Sequence, residues 1–253
     1  MEVRFLNFSH EPSGMTITLY HALYSTCSQK VRLTLAEKGL SWESRLVDLV
    51  GREQLAPWYL ALNPNGVVPT IIDNGVAITD SSAICEYIEE SQEGPNLSPS
   101  DPASRARMRA WMRHFEETPT AAIRVPSFNL AFMKQPVIVE AAARMREEAT
   151  DYRRGFWRDM GTTGFSDALM EDALGKLRYS LRKVETGLAD GGPYILGMLT
   201  LADLLFLPTV VRMEDIGLSH MWADLPQVSR WYGLMQARPS FTAAFGPGAR
   251  LTS

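Results

Sequence analysis

The sequence predicts an α/β plus all-α chain: a small mixed domain of βαβαββα order over residues 15–93, then an all-helical domain over residues 103–253. Three observations predict it. Short β-branched runs alternate with helical segments as far as Glu93, and nowhere beyond. The stretch GPNLSPSDP, residues 94–102, concentrates proline and serine and reads as a linker. After it, apolar residues recur at helical spacing without a strand signal. Residues 1–14 precede the first strand and read as an unstructured leader.

Each element has its own warrant. TITLY, Thr16–Tyr20, is short and β-branched, hence a strand. Ser28 to Lys38 carries Val31, Leu33, Leu35 and Ala36, and Gly39 followed by Leu40 marks a helix stop. WESRLVDL supplies a second strand. Gln54–Leu62 reads as a short helix that stops at Asn63-Pro64, where proline disfavours continuation. VVPTIID and GVAIT form two strands joined across Asp73-Asn74-Gly75, a hairpin turn signature. SSAICEYIEE puts Ile84, Tyr87 and Ile88 on one face of a third helix. In the second part, Met108, Trp111, Met112 and Phe115 recur at i, i+3, i+4 and i+7. Ser166 is an N-cap with Asp167 in the first turn. Met170, Leu174, Leu177, Leu181, Val184 and Leu188 then form a core-facing stripe. LTLADLLFLP opens a buried helix with Thr200 and Asp203 at capping-box spacing, flanked by Leu199 and Leu204 as a staple. Pro226 starts the last long helix, which runs through Val228, Trp231 and Met235 to Arg238-Pro239.

Composition narrows the function. A chain of 253 residues with 45% hydrophobic and 21% charged residues is an ordinary globular composition. A net charge of -4 without a basic patch argues against a nucleic-acid partner. No apolar run approaches the roughly 18–20 residues that span a bilayer, and MEVRFLNFSHEPSG lacks a signal-peptide core. Two cysteines, Cys27 and Cys85, fit a reducing compartment, so a cytoplasmic protein is expected, with no metal.

The segment NPNGVVPTIIDNGVAITDSSAICEYIEE carries the most chemistry. Through Asn63-Pro64, Gly66, Val68-Pro69, Asp80-Ser81 and Ala83-Ile84 it resembles the glutathione-binding half of the cytosolic glutathione transferases. That resemblance implies a thioredoxin-like first domain, glutathione as cofactor, and a cis bond before Pro69. The backbone of Val68 would then pair with the tripeptide like an added strand. Asp80 and Ser81 open a helix: Ser81 offers donors for a carboxylate, Asp80 an acceptor for an ammonium, and together they suit a γ-glutamyl group. Alone the pair would read as an ordinary N-cap; eleven residues after Pro69 it points to a ligand.

YSTCSQKVR, Tyr24 to Arg32, resembles the serine-type first turn of the zeta branch. By position Ser25 is the catalytic hydroxyl, a donor to the cofactor's thiolate rather than a nucleophile. Cys27 and Ser28 are candidate modulators, Cys27 being structural or redox-active, and Cys85 a small buried hydrophobe. Gln54 matches a glutamine that meets glutathione's glycyl end, and equally fits a solvated helix residue. The chain departs from the pattern at Val67, where a Gln or Lys is common, so that contact would come from Arg52 or Gln54.

For the electrophile, Trp111, Met112, His114, Phe115 and Tyr152 are pocket candidates, interhelical core being the plainer reading of the first four. RARMRAW, YRRGF, LRKVETGLAD and GMLTLADL are similar to the bacterial β-aryl etherase branch, which implies displacement of a phenol from the carbon beside a ketone. The serine turn resembles instead maleylacetoacetate isomerases, whose dianionic substrate Arg124, Arg153 or Arg154 could meet. A catalytically silent fold used for protein binding is the third reading. The resemblance also implies a homodimer.

Overall fold

The computed structural model describes residues 17–190 and 192–251; the expected leader, residues 1–14, and Thr16 lie outside them. Strand β1, Ile17–His21, runs into α1, Thr26–Glu37, which returns the chain to β2, Trp42–Leu46, parallel to β1. A 3-10 turn, Glu53–Leu55, precedes α2, Pro57–Leu62. The single helix read over Gln54–Leu62 is therefore split. Pro57 has no N–H to give to a preceding turn, but fits the first position of a new helix, where none is needed.

Strands β3, Thr70–Asp73, and β4, Val76–Thr79, form the hairpin, with Asn74 at φ 52° and Gly75 at φ 78°. Both values are the left-handed conformations of a tight two-residue turn. The sheet order is β2-β1-β3-β4, with β3 antiparallel to both neighbours. Helix α3, Ser81–Ser91, buries Ile84, Cys85 and Ile88, while Tyr87 donates to Asp73 Oδ2 at 2.9 Å.

The rest is helical. Helix α4 spans Pro102–Glu117; α5, Pro119–Ala122, and α6, Arg124–Leu130, follow at once. Then come α7, Pro136–Glu148, and α8, Asp151–Met160, two helices that the sequence reading did not resolve. Helix α9, Asp167–Gly187, is capped by Ser166, whose Oγ accepts from Leu169 N–H at 3.4 Å. Its stripe is buried from Leu177 onward, while Met170 and Leu174 are only half-covered.

Helix α10, Leu201–Asp215, is buried almost throughout. Asp203 accepts from Thr200 N–H at 3.0 Å, Ile195 N–H at 3.1 Å and Trp231 Nε1 at 2.9 Å. Helix α11, Pro226–Gln236, and a short α12, Pro239–Ala244, end the fold.

One continuous apolar core runs from β1, α1 and α3 into α4, α9, α10 and α11. Helix α1 is its centre, buried on every side from Ser28 to Leu35. Its polar residues therefore need partners inside the protein, and the helical part supplies them. Gln29 donates to Ala249 O at 2.8 Å, and Lys30, fully buried, pairs with Glu116 and donates to Thr120 Oγ1 at 2.9 Å. The two parts meet over a mixed surface, which fixes the position of α1's N-terminus against both.

Candidate functional site

The chain leaves β1 and turns once before α1. Ser25 is the N-cap, with φ −71° and ψ 117°, and its Oγ accepts from Ser28 N–H at 3.2 Å. Among the described residues nothing accepts the Ser25 hydroxyl proton, so the half-buried side chain keeps one donor to give. Ser28 differs. It is fully buried and its Oγ accepts from Ala22 N–H at 3.3 Å, which spends it on closing the turn. Cys27 is a half-buried free thiol in the first turn of α1. Cys85 is inert: burial pushes its thiol up to about 12, and Thr34 Oγ1 donates to it at 3.1 Å.

Two buried arginines hold this turn: Arg32, which ends the YSTCSQKVR motif, and Arg212, which the sequence reading did not name. Arg32 of α1 donates to Leu23 O at 2.9 Å and to Ala244 O at 2.9 and 3.1 Å. Arg212 of α10 donates to the Tyr24 carbonyl and lies over the Phe132 ring at 5.2 Å. A guanidinium offers five donors in a fixed plane, so one side chain can satisfy several carbonyls of an irregular turn. Burial lowers each to about 10, so both remain charged at neutral pH. Their positive field, with the start of α1, favours a nearby anion. The signal for Arg212 was in the sequence: a lone charge inside the apolar run LLFLPTVVRM.

His21 is not a base for Ser25. Arg32 can only donate, so the 3.0 Å contact makes His21 Nδ1 an acceptor and leaves Nε2–H for Ser44 Oγ at 2.7 Å. Burial, with Arg32 adding to it, lowers its pKa to about 4, so the ring is neutral.

At the other side of the cleft the Val68-Pro69 bond is cis. Asn63 Nδ2 and Tyr59 Oη each donate to Val67 O at 2.8 Å, which positions that loop and gives Asn63 its role. No hydrogen bond within the described residues engages the backbone of Val68. Asp80 sits at φ 70°, and its Oδ1 accepts from Ser82 N–H at 3.0 Å and Ala83 N–H at 3.1 Å. Its Oδ2 and the N–H of the buried Ser81 take no partner among the described residues. Capping and ligand binding are thus compatible in Asp80, which the sequence reading had set as alternatives. A groove of about 390 Å³ continues from Asp80 and Ser82 past Met112 and Glu116.

Gln54 is buried: its Nε2 lies 3.8 Å from Met145 Sδ, and its Oε1 has no partner among the described residues. Arg52 pairs with Glu148, and Thr150 Oγ1 donates to Asn65 O at 2.7 Å. The α7–α8 junction therefore covers the end of the cleft where a glycyl carboxylate was expected.

The aromatic pocket candidates on α4 separate. Phe115 stacks on Phe206 of α10 at 4.6 Å and on Trp111 at 5.4 Å. Trp111 lies under Lys183 at 5.1 Å, and His114 meets Tyr179 at 5.7 Å, both partners on α9. Phe115 is buried core, while Trp111 and His114 are half-buried against α9; none of the three lines the groove, which corrects their reading as pocket. Of the four only Met112 lines the groove. An aromatic cluster lies elsewhere: the rings of Phe132 and Phe156 are 5.2 and 5.3 Å from Phe128, beside the small core of Ala142, Met160 and Phe165. Tyr152 is 58% exposed, with the Arg153 guanidinium 5.2 Å from its ring. Arg153 is close enough to Cys27 and Arg124 to feel both.

Comparison with known proteins identifies the fold. The glutathione S-transferase N-terminal domain family matches residues 19–96, and its C-terminal domain family residues 167–233. The protein LigF of Sphingobium sp. is 40% identical over 105 residues, which span 41% of this chain and 41% of LigF. The crystal structure of the β-etherase LigF superposes with a TM-score of 0.80 at 25% identity, covering 91% of this chain and 99% of that one. A maleylacetoacetate isomerase of Pseudomonas aeruginosa is 48% identical over 94 residues, 36% of this chain and 44% of the isomerase. Glutathione S-transferase F10 of Arabidopsis thaliana is 28% identical over 231 residues, 90% of this chain and 95% of that protein.

Proposed function

Because this chain belongs to the glutathione S-transferase superfamily, we propose that it is a transferase in which Ser25 steadies the glutathione thiolate for attack on an aromatic electrophile. Glutathione supplies the nucleophilic sulfur. The observation that carries the reading is the uncommitted Ser25 proton at the start of α1, in a turn held by Arg32 and Arg212. A free thiol ionises near pH 8.5, so only a few per cent is thiolate at neutrality. One charge-assisted hydrogen bond and the helix start contribute roughly 2–3 kcal/mol, enough to bring that value near or below 7. The Val68 backbone would hold the tripeptide's main chain, Ser81 N–H its α-carboxylate, and Asp80 Oδ2 its ammonium. Gln54, with an uncommitted Oε1, would stand near the glycyl end.

Within that chemistry, cleavage of β-aryl ethers is the favoured reaction. The structural likeness to LigF and the ring cluster of Phe128, Phe132 and Phe156 support it. The isomerase reading keeps support from the 48% identity to the Pseudomonas enzyme and from Arg124 and Arg153. Turnover of an aryl ether ketone against maleylacetoacetate separates the two. The homodimer and the cytoplasmic location belong to the same proposal. The experiment is a steady-state comparison of the wild type with Ser25→Ala on a panel of electrophiles. Turnover should fall roughly 10²–10³-fold with glutathione affinity little changed, as for the loss of one preorganised donor. An undiminished variant moves the role to another group, and a wild type that fails to bind millimolar glutathione restores the silent binding module.

A further inference from the structure

Resting on the ether-cleavage reading, we infer that Arg153, backed by Arg124, receives the oxygen anion set free when the aryl ether breaks, and so selects phenolate leaving groups. As the sulfur–carbon bond forms, the carbon–oxygen bond breaks and its electron pair goes to the aryl oxygen. The phenolate then takes a proton from water. Charge leaves the sulfur and arrives at the oxygen, so a donor placed only at the sulfur, as Ser25 is, does nothing for the half of the reaction where charge accumulates.

Arg153 is placed for that second half. Its guanidinium lies 5.2 Å from the Tyr152 ring and 5.9 Å from the Phe156 ring. Among the described residues, no acceptor or carboxylate meets its N–H groups. The charged neighbour it feels most is another cation, Arg124, which likewise has no ion pair among the described residues, followed by Cys27 in the first turn of α1. Its neighbour Arg154 shows the ordinary case, exposed and paired with Asp151 at 2.7 Å. Burial first, and Arg124 second, lower Arg153 to about 10, so it stays charged at neutral pH, with ring faces but no carboxylate beside it among the described residues. An oxyanion arriving there relieves both costs. The rings around it are suited to the aryl group that carries the oxygen.

The test uses the full chain and para-nitrophenol, whose absorbance reports its ionisation. The wild type should bind it as phenolate with its pKa lowered, Arg153→Lys should keep the shift, and Arg153→Gln should lose it. In turnover of phenacyl ethers with leaving phenols of rising basicity, the loss in Arg153→Gln should grow from under threefold to roughly 10²-fold. Arg153→Lys, which keeps the charge, should fall between. A uniform loss across that series, or an unchanged nitrophenol shift in Arg153→Gln, overturns the inference and leaves the transferase reading standing. A wild type that conjugates chlorodinitrobenzene but opens no aryl ether overturns the ether-cleavage reading, and this inference with it.

Discussion

Arg212 reaches across 188 positions of sequence to the carbonyl of Tyr24, one residue before Ser25. Its other terminal nitrogen donates to Ser127 Oγ at 3.5 Å, and its Nε is buried without a partner among the described residues. A buried cation spent on backbone carbonyls is a weak contributor to stability, because desolvation offsets what it gains. Its effect is positional. Arg212→Met should therefore leave the melting temperature within a few degrees of wild type while lowering turnover roughly tenfold, through loss of the Ser25 geometry. Equal losses in both would make the arginine a purely structural strut. The same scale shows what a motif can hide. In YSTCSQKVR the sequence assigned Ser25 by resemblance, but not the separation of Ser25, whose proton is uncommitted, from Ser28, whose hydroxyl closes the turn. Which of two nearby hydroxyls is spent depends on where Ala22 N–H points, and that is set by folding.

Helices α7 and α8 act as one element over the cleft. Arg52 pairs with Glu148, Gln54 meets Met145, and Thr150 holds Asn65. An arginine held by Glu148 has one terminal nitrogen and much of its charge committed, and so is less available to a ligand carboxylate. Glu148→Gln should release Arg52 and tighten glutathione binding severalfold, read by calorimetric titration; weakened binding would mean that the pair shapes the cleft instead. These two helices were not legible. Residues 118–165 contain aromatic and charged side chains in short segments, interrupted by Pro119, Pro126 and Pro136, so no long apolar period forms. The long stripes were legible for the opposite reason. Five turns of α9 and the isolated cap of α10 announce themselves through neighbours in sequence.

At the scale of the whole molecule, two buried groups in different parts give stability opposing slopes with pH. His21 is lowered to about 4 when folded, against about 6.5 unfolded. Between those values the unfolded chain binds the extra proton, so stability rises with pH and is lost as pH falls. Asp203 is raised to about 6, desolvation outweighing its hydrogen bonds, against 3.8 unfolded. There the folded chain binds the extra proton, so stability is highest below about 4 and falls as pH rises to 6. The two nearly cancel from pH 4 to 6. In denaturant titrations, Asp203→Asn should reveal a rising slope of about 1.4 kcal/mol per pH unit, and His21→Gln a falling one. Parallel slopes in both variants would show that neither group titrates as its burial requires.

By itself the sequence determined the order of strands and helices in the first part, the caps of α9 and α10, the hairpin turn, and the family to which the chain belongs. Those are consequences of residues a few positions apart: a proline without its N–H, an Asn-Gly at positive φ, an Asp three residues after a Thr. Only the tertiary structure decided which side chains face the cleft. It packed Trp111 and His114 against α9 and Phe115 into the core, brought Arg212 beneath Tyr24, and set Arg153 near Cys27. A helix has one core-facing stripe, and which of its residues remain for a ligand is settled by what packs against it from distant sequence.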